Sequence, residues 1–348
     1  MPSTLALSLP AKGAAFTPTT IERRPLRDDD VRIDISFCGI CHTDLHFGHD
    51  DWGGTLFPFV PGHEITGVVS EVGDAVTAFG VGDRVGVGCM VNSCGRCAPC
   101  TAGEEQYCTE GFVKTYSARD HDGTVTLGGY SQSIVVAERF VLRIPDELEL
   151  AGAAPLLCAG VTVYSPLRRW GAGPGKKVGV LGMGGLGHLG VKIAAAMGAE
   201  VTLLGRSPEK RDDALGFGAA RFVDTRDSAE LAALAGHFDL IVNTVPALLD
   251  VDTYLGLLDL GGTLVNVGAP GDPVASYNVF SLLSARRSIA GSSIGGIRET
   301  QDMLDFCTKH KITSEIEMIP ADRVPEAWEN LSGVRYRYVI DIATLGAP

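Results

Sequence analysis

KVGVLGMGGLGHLGVKIAAAMGAEVTLLGRS, residues 177–207, is the stretch from which the rest of the chain can be read. KVGVL is a short apolar run, a glycine-dense turn follows, VKIAAAM has a helical composition, and VTLL is a second apolar run. Strand, turn, helix and strand in that order are the start of a parallel sheet. The turn, Gly182-Met183-Gly184-Gly185-Leu186-Gly187, is a G-x-G-x-x-G. Alone this pattern is weak, but between a buried strand and a helix it is a strong signal for a dinucleotide. Gly182 permits the tight turn, Gly184 lets the backbone approach a pyrophosphate, and Gly187 allows the helix to pack closely on the strand. The helix N-terminus then supplies N–H donors and positive potential. His188 reads equally well as a neighbour of that pyrophosphate or as a packing residue of the helix.

The end of the second strand separates the two nicotinamide dinucleotides. An acidic residue there would accept hydrogen bonds from a ribose 2′-hydroxyl. The chain instead reads Gly205-Arg206-Ser207-Pro208-Glu209-Lys210-Arg211. The missing carboxylate and nearby cations favour a 2′-phosphate, hence NADP(H) over NAD. Glu209 is the discordant residue, and is expected to face solvent.

On either side the pattern continues. FGAARFVDT (217–225), FDLIVNTV (238–245) and GGTLVNVGAP (261–270) are buried-strand candidates, separated by helical stretches such as SAELAALAG (228–236). AGAAPLLCAGVTVYSPLRRW (151–170) reads as one helix with a small and apolar face. The alternation predicts a doubly wound parallel sheet covered on both faces. RRSIAGSSIG (286–295) reads as its outer strand, whose exposed edge invites pairing with a second copy.

The first 145 or so residues have a different texture: short β-rich runs broken by glycines, clearest in VRIDISF, EITGVVSEV, DRVGVGC and YSQSIVVAERFVLRIP. Many short strands with turn signals predict a barrel-like β domain. Its one helical cue spans His42 to Phe47. A helix from Glu299 to His310 and a terminal strand, RYRYVIDIA, are expected to return to this domain. The division expected is therefore 1–152 with 293–348, and 153–292.

The 348 residues exceed the usual size of one hydrophobic core, in agreement with two domains. The chain is 45% hydrophobic and 20% charged, the composition of a soluble globular protein. Its net charge of −13 comes with scattered lysines and arginines, which argues against a nucleic-acid or anionic-membrane surface. No apolar run is long enough to span a bilayer, and the N-terminus lacks the pattern of a secretory signal. A cytoplasmic location is expected.

Nine cysteines are an odd number, and four of them, Cys94, Cys97, Cys100 and Cys108, are spaced C-x2-C-x2-C-x7-C. Four sulfurs in an irregular Gly/Pro-bearing segment suit a closed tetrahedral zinc site that stabilises a loop without doing chemistry. An iron–sulfur cluster and redox disulfides are the competing readings. The former is disfavoured because the bacterial run places its fourth cysteine after three residues.

A second chemistry-bearing stretch is FCGICHTDLHFGHDDWGGTLFPFVPGHEITGVVSEVGDAV, residues 37–76. Within it, Gly62-His63-Glu64-x2-Gly67-x5-Gly73-x2-Val76 resembles the zinc signature of the medium-chain dehydrogenase/reductase family. Cys41-His42-Thr43-Asp44-Leu45-His46 resembles its catalytic-zinc segment, and the four-cysteine lobe (about 89–110) its structural-zinc loop. LGGYSQSIVVAERFVLRIP, PLLCAGVTVYSPLRRW, IGGIRETQDMLDFC and VRYRYVID resemble the cinnamyl-alcohol-dehydrogenase-like branch, especially its microbial NADPH-dependent aldehyde reductases. The likeness covers nearly the whole chain.

The resemblance implies a GroES-like β-barrel catalytic domain joined to a Rossmann domain, two Zn2+ per chain, and NADP(H). It implies Cys41, His63 and Cys158 as catalytic-zinc ligands. Cys158 alone would read as a core cysteine. Glu64 is implied beside the metal, Asp44 as the group that orients His63, and Thr43 and His46 as the route for the alcohol proton. His42 is implied near the cofactor phosphates or ribose, and Ser207 and Lys210 at the 2′-phosphate. Arg206 stands where the branch often has serine, and is expected on adenine or phosphate. Thr162, Thr244, Val245, Val267, Gly268 and Ser292 are implied around the nicotinamide, and Arg337 at the pyrophosphate. Gly185 and Leu186 complete the turn. A homodimer is implied as well.

Zinc polarises an aldehyde oxygen during hydride attack. A buried alkoxide needs a hydroxyl such as that of Thr43 to reach water, and an imidazole exchanges protons near neutrality. Cys38, Cys89 and Cys307 read as core, and His49 and His121 as solvated loop residues. The segment GFVKTYSARDHDG (111–123) lacks the tryptophan that plant members use to sandwich a phenylpropanoid, so broad acceptance of medium-sized aromatic and aliphatic aldehydes is expected. Trp52, Leu56, Phe57 and Ile294 are candidate pocket walls. Two other functions stay open at this point: a polyol dehydrogenase, and a catalytically silent nucleotide-binding protein on the same fold.

Overall fold

A computed structural model of the chain describes residues 3–268, 275–331 and 333–346. It divides into two compact units, one running to Cys158 and resuming at Gly295, the other spanning Ala159–Ile294.

In the first unit the strand Asp30–Gly39 is the organiser. It pairs antiparallel along its length with Ile65–Val72, while its other edge is shared. Ser133–Ala137 pairs with residues 30–34, and Arg337–Asp341 with residues 37–39. Outward on one side follow Arg84–Val87 and Leu142–Arg143, and on the other Ile316–Pro320. Ile33 and Ile65 on the two central strands are fully buried in the core of this sheet. Sharing one long strand among three partners brings residues 37–41, 63–65 and 337 to the same end of the sheet. The helix His42–Gly48 begins there, and its first turn is closed by the Asp44 side chain accepting from the Cys41 backbone N–H at 2.8 Å.

The expected single helix over 151–170 is instead three pieces: a helical turn at Leu150–Ala153, a 3-10 stretch at Ala154–Leu157, and a helix at Ala159–Arg169. Between the last two, Cys158 has φ −123° and ψ −71°, outside helical geometry. Pro155 opens the 3-10 stretch, where a missing N–H is tolerated. The break both divides the two units and leaves the Cys158 thiol off the helical register.

The second unit holds a fully parallel sheet in the order Arg221–Asp224, Glu200–Gly205, Lys177–Leu181, Phe238–Asn243, Leu258–Asn266, Ser288–Gly291. In chain order this is 3-2-1-4-5-6, the doubly wound arrangement whose ligand crevice lies at the carboxyl ends of its strands. Leu181, Leu204, Val223, Phe238, Ile241 and Leu264 form its buried core with Leu255 and Leu258. Of the expected strand GGTLVNVGAP, Ala269 and Pro270 fall outside the described residues.

Candidate active site

Three distant parts of the chain bring their ligand atoms together in the first unit. A thiol from Cys41, an imidazole nitrogen from His63, a carboxylate oxygen from Glu64 and a thiol from Cys158 all lie within 4.8 Å of one another, and all four residues are buried. His63 Nε2 stands 3.2 Å from Cys158 Sγ. Two thiols, one imidazole and one hard oxygen form a donor set suited to a zinc ion. Glu64 Oε2 is buried with no hydrogen-bond partner among the described residues, an acceptor that a cation at this site would satisfy.

Asp44 holds the imidazole from behind. Its Oδ1 accepts from His63 Nδ1 at 3.0 Å and from the Gly62 N–H at 3.2 Å. Its Oδ2 takes the Cys41 N–H, and the Tyr130 hydroxyl lies 3.5 Å away. A carboxylate on Nδ1 places the hydrogen there, leaving Nε2 as a lone-pair donor. Burial opposes the imidazolium, but the charges of Asp44 and Cys89 and the hydrogen bonds to Asp44 and Cys41 together raise the His63 pKa well above the ordinary value. The Cys41 thiol is drawn well below its usual range, chiefly by a hydrogen bond from Cys158, which itself rises well above it.

Opposite the sulfurs, Glu64 pairs with Arg337 in a fully buried ion pair. Burial pushes the Glu64 carboxyl upward, and the Arg337 charge counters it. Arg337, expected at a pyrophosphate, has one guanidinium nitrogen on Glu64, and its Nε is unpartnered among the described residues. Gly39 permits this packing: a Cβ there would sit 2.0 Å from Glu64 Oε2. Neither the role of Gly39 nor the Glu64–Arg337 partnership is visible in the sequence, because strand pairing creates both, the latter across 273 residues.

Cys89 corrects an expectation. It is half-buried rather than core, and its thiol is within hydrogen-bonding reach of Cys158. Cys38 and Cys307 are core as expected, the latter against Met303. Thr43 lies half-buried in the first turn of the helix, and His42 is exposed at its start. His46, one turn on, pairs with Asp51 at 2.8 Å and packs against the Trp52 ring. Tyr116 meets His63 edge-on with ring centroids 5.3 Å apart, and is a wall residue the sequence does not single out.

The four-cysteine lobe is also assembled. Its sulfurs lie within 4.8 Å of one another. The Cys97 N–H points at Cys94 Sγ at 3.4 Å. Backbone N–H groups of Thr109 and Cys100 pull the Cys97 thiol down to about 6. Thiolate-stabilising amides around four convergent sulfurs fit a structural zinc site.

In the second unit the glycine turn is as tight as its motif demands. Gly182 has φ 91°, and a Cβ on Gly187 would sit 2.0 Å from the Gly182 carbonyl oxygen. On Gly184 the same position is open for 4 Å, a cradle that only a glycine leaves free. The backbone N–H groups of Gly184, Gly185 and Leu186 have no partner among the described residues. Unpaired donors around an open cradle fit a pyrophosphate.

The other expected cofactor residues of this unit sit at the carboxyl ends of its strands. Thr244 Oγ1 donates to the Leu181 carbonyl, Val267 and Gly268 donate to that of Asn243, and Ser292 donates to that of Asn266. Val245 donates to the Asn243 side chain, and Thr162 is buried in the helix Ala159–Arg169. Arg206 is exposed and Ser207 half-buried at the end of Glu200–Gly205, with Glu209 exposed to solvent. Lys210 reaches back to the glycine turn, its Nζ donating to the Met183 carbonyl at 2.9 Å.

Residues 27–146 match the alcohol dehydrogenase GroES-like domain and residues 185–309 the zinc-binding dehydrogenase domain. The chain belongs to the zinc-binding alcohol dehydrogenase family. It is 60% identical over 344 residues to the "Probable formaldehyde dehydrogenase AdhA" of Bacillus subtilis, with 98% of each chain covered. It is 57% identical to NADP-dependent alcohol dehydrogenase C 1 of Mycolicibacterium smegmatis, with 95% of each covered. Among solved structures, cinnamyl alcohol dehydrogenase SbCAD4 of Sorghum bicolor superposes with a TM-score of 0.94 at 44% identity, covering 98% of both chains. Among the described residues no single helix is long and apolar enough to cross a membrane.

Proposed function

We propose that this chain is a zinc- and NADP(H)-dependent alcohol dehydrogenase that works mainly as a reductase of aromatic and medium-chain aliphatic aldehydes. The observation that carries this reading is the convergence of Cys41, His63 and Cys158, with Asp44 fixing the imidazole from behind. The NADP-dependent relative and the absence of a carboxylate after Glu200–Gly205 support the choice of dinucleotide.

In this reading the first unit is the catalytic domain and the second the nucleotide-binding domain. Cys41, His63 and Cys158 hold the catalytic zinc, and Cys94, Cys97, Cys100 and Cys108 the structural one. When bound, the catalytic ion supplies Lewis acidity to the substrate oxygen, and the nicotinamide supplies the hydride. Asp44 keeps His63 in the tautomer that presents Nε2. Thr43 holds the alcohol proton, and His46, half-exposed and anchored on Asp51, exchanges it with solvent. Arg337 neutralises Glu64, so that no bare carboxylate faces the two sulfurs. His42 lies by the cofactor. Gly182, Gly184, Gly185, Leu186 and Gly187 receive the pyrophosphate. Arg206, Ser207 and Lys210 grip the 2′-phosphate, and Thr162, Thr244, Val245, Val267, Gly268 and Ser292 surround the nicotinamide.

None of the nine cysteines is joined in a disulfide, which supports a reducing, cytoplasmic setting. A homodimer is proposed through the edge strand Ser288–Gly291. Beside it the helix Val279–Leu283 exposes Phe280 at 69% and Leu283 at 67%, and Leu260 is 75% exposed. A Phe280→Glu substitution that left a dimeric protein dimeric would remove that surface.

The deciding experiment is an aldehyde and alcohol panel, with formaldehyde, hexanal and benzaldehyde, run with NADPH and NADH alongside zinc analysis. Two zinc ions per chain and NADPH-preferring reduction of hexanal and benzaldehyde are expected. NADPH binding without turnover of any aldehyde would overturn the reading in favour of a silent nucleotide-binding protein.

A further inference from the structure

The glycine turn contains an arrangement that its glycines do not explain. His188, in the first turn of the helix Gly187–Ala196, is fully buried beside the Phe217 ring. Its Nδ1 lies 3.1 Å from the Gly184 carbonyl oxygen. The same oxygen accepts the His188 backbone N–H at 3.2 Å. A carbonyl oxygen only accepts, so Nδ1 carries the hydrogen. One residue earlier, the Met183 carbonyl accepts from Lys210 Nζ. In a trans peptide the C=O and N–H point in opposite directions. Anchoring these two carbonyls therefore turns the N–H groups of Gly184 and Gly185 the other way. Those are the donors without a partner among the described residues, and a Cβ on Gly184 would meet nothing within 4 Å.

We propose that His188 is a positioning residue for dinucleotide binding. By gripping the Gly184 carbonyl through Nδ1, it holds the 184–185 peptide with its N–H aimed into the cradle that receives a pyrophosphate. It does this from beneath the turn, without touching the phosphate. Packing alone does not require the hydrogen bond, since a leucine would fill the same buried space; the imidazole adds a second anchor to a carbonyl that the backbone N–H of residue 188 already holds, in a glycine turn with little other restraint. The inference rests on reading this turn as the dinucleotide site, and it predicts an effect confined to ligands that carry the pyrophosphate.

The test is equilibrium binding of NADPH and of 2′-AMP, which has the 2′-phosphate and no pyrophosphate, to wild type, His188→Leu and His188→Asn. His188→Leu is expected to weaken NADPH roughly five- to tenfold and to leave 2′-AMP within about twofold of wild type. Asn, whose Nδ2 occupies the place of Nδ1, is expected to recover most of the loss. Unchanged NADPH affinity in His188→Leu, equal weakening of both ligands, or no recovery with Asn would each overturn the proposal. Should the leucine variant not fold, His188→Gln replaces it, because its amide reaches the place of Nε2 instead; NADPH affinity equal to that of the Asn variant would then overturn the proposal. A folded wild type that bound 2′-AMP but not NADPH would instead sink the reading of the turn itself.

Discussion

The two metal-ligand clusters of the first unit are built on opposite plans. The four-cysteine lobe draws all its sulfurs from a fifteen-residue stretch, two of them half-buried, and surrounds them with its own backbone amides. The other cluster gathers Cys41, His63 and Cys158 from three segments, buries all of them, and adds a carboxylate on each side: Asp44 behind the imidazole, and Glu64 held by Arg337. Local sequence can close a symmetric four-thiolate cage, which leaves a metal no open position. An asymmetric set needs the fold to bring it together, and the fold can then tune each ligand separately. The lobe is therefore read as a fastening and the buried cluster as the reactive centre.

That contrast breaks most visibly if the buried cluster does not behave as one unit. Cys158→Ala removes one of its two sulfurs and is expected to lower turnover by about a thousandfold or more, since metal activation of a carbonyl contributes several kcal/mol. NADPH affinity should stay near wild type, because the glycine turn lies in the other unit. Stopped-assay kinetics and fluorescence titration check the two halves. Equal loss of both would mean that Cys158 supports the fold rather than the metal.

Cys100→Ser asks the same question of the lobe and should give the inverse pattern. Zinc content is expected to fall from two to one per chain, with a drop in Tm of roughly 10 °C or more, because a structural site contributes folding energy directly. The turnover of molecules that remain folded should change little. A lobe variant with full stability and no activity would erase the distinction.

Asp44→Asn sharpens the comparison on the buried side, since among the described residues no lobe cysteine has a hydrogen bond to a side-chain carboxylate. The amide can still accept from Cys41, but it no longer places a charge on His63 Nδ1. Zinc affinity and turnover are each expected to fall about 10- to 100-fold, with NADPH binding intact. Competition with a chromogenic chelator reads the affinity directly.

The same division governs what the sequence discloses. The lobe is legible from spacing alone, because its ligands are neighbours in the chain. The parallel sheet is legible from alternating apolar runs and one glycine turn, both local signals. Cys158 is not: it lies in a run that reads as one helix, and only a family resemblance marks it. Its role depends on a backbone break that tertiary packing imposes. Cys89 reads as core because nothing local reports that Cys158 will arrive beside it. Glu64, just before the strand Ile65–Val72, and Arg337, at the start of Arg337–Asp341, are individually conspicuous as charges beside apolar runs, yet their partnership exists only once Arg337–Asp341 pairs with Asp30–Gly39.

Gly39 supplies the mildest test and the one most specific to the buried cluster. The residue sits at the end of Asp30–Gly39 in ordinary strand geometry, so a methyl group strains no dihedral angle. What it meets is Glu64: Oε2 at 2.0 Å, with the Glu64 Cβ and Cδ both at 3.0 Å. The carboxylate must shift, and the Arg337 guanidinium, buried against it, must follow or lose its partner. Overpacking of this kind costs about 1–3 kcal/mol. Gly39→Ala is therefore expected to lower Tm by a few degrees and turnover by less than Asp44→Asn does, without loss of either zinc ion. In a Glu64→Gln background, where the pair no longer joins two full charges, the added methyl group should cost less. Additive effects in that double-mutant cycle, read by thermal unfolding, would mean that the cost of the methyl group arises elsewhere than at the Glu64–Arg337 pair.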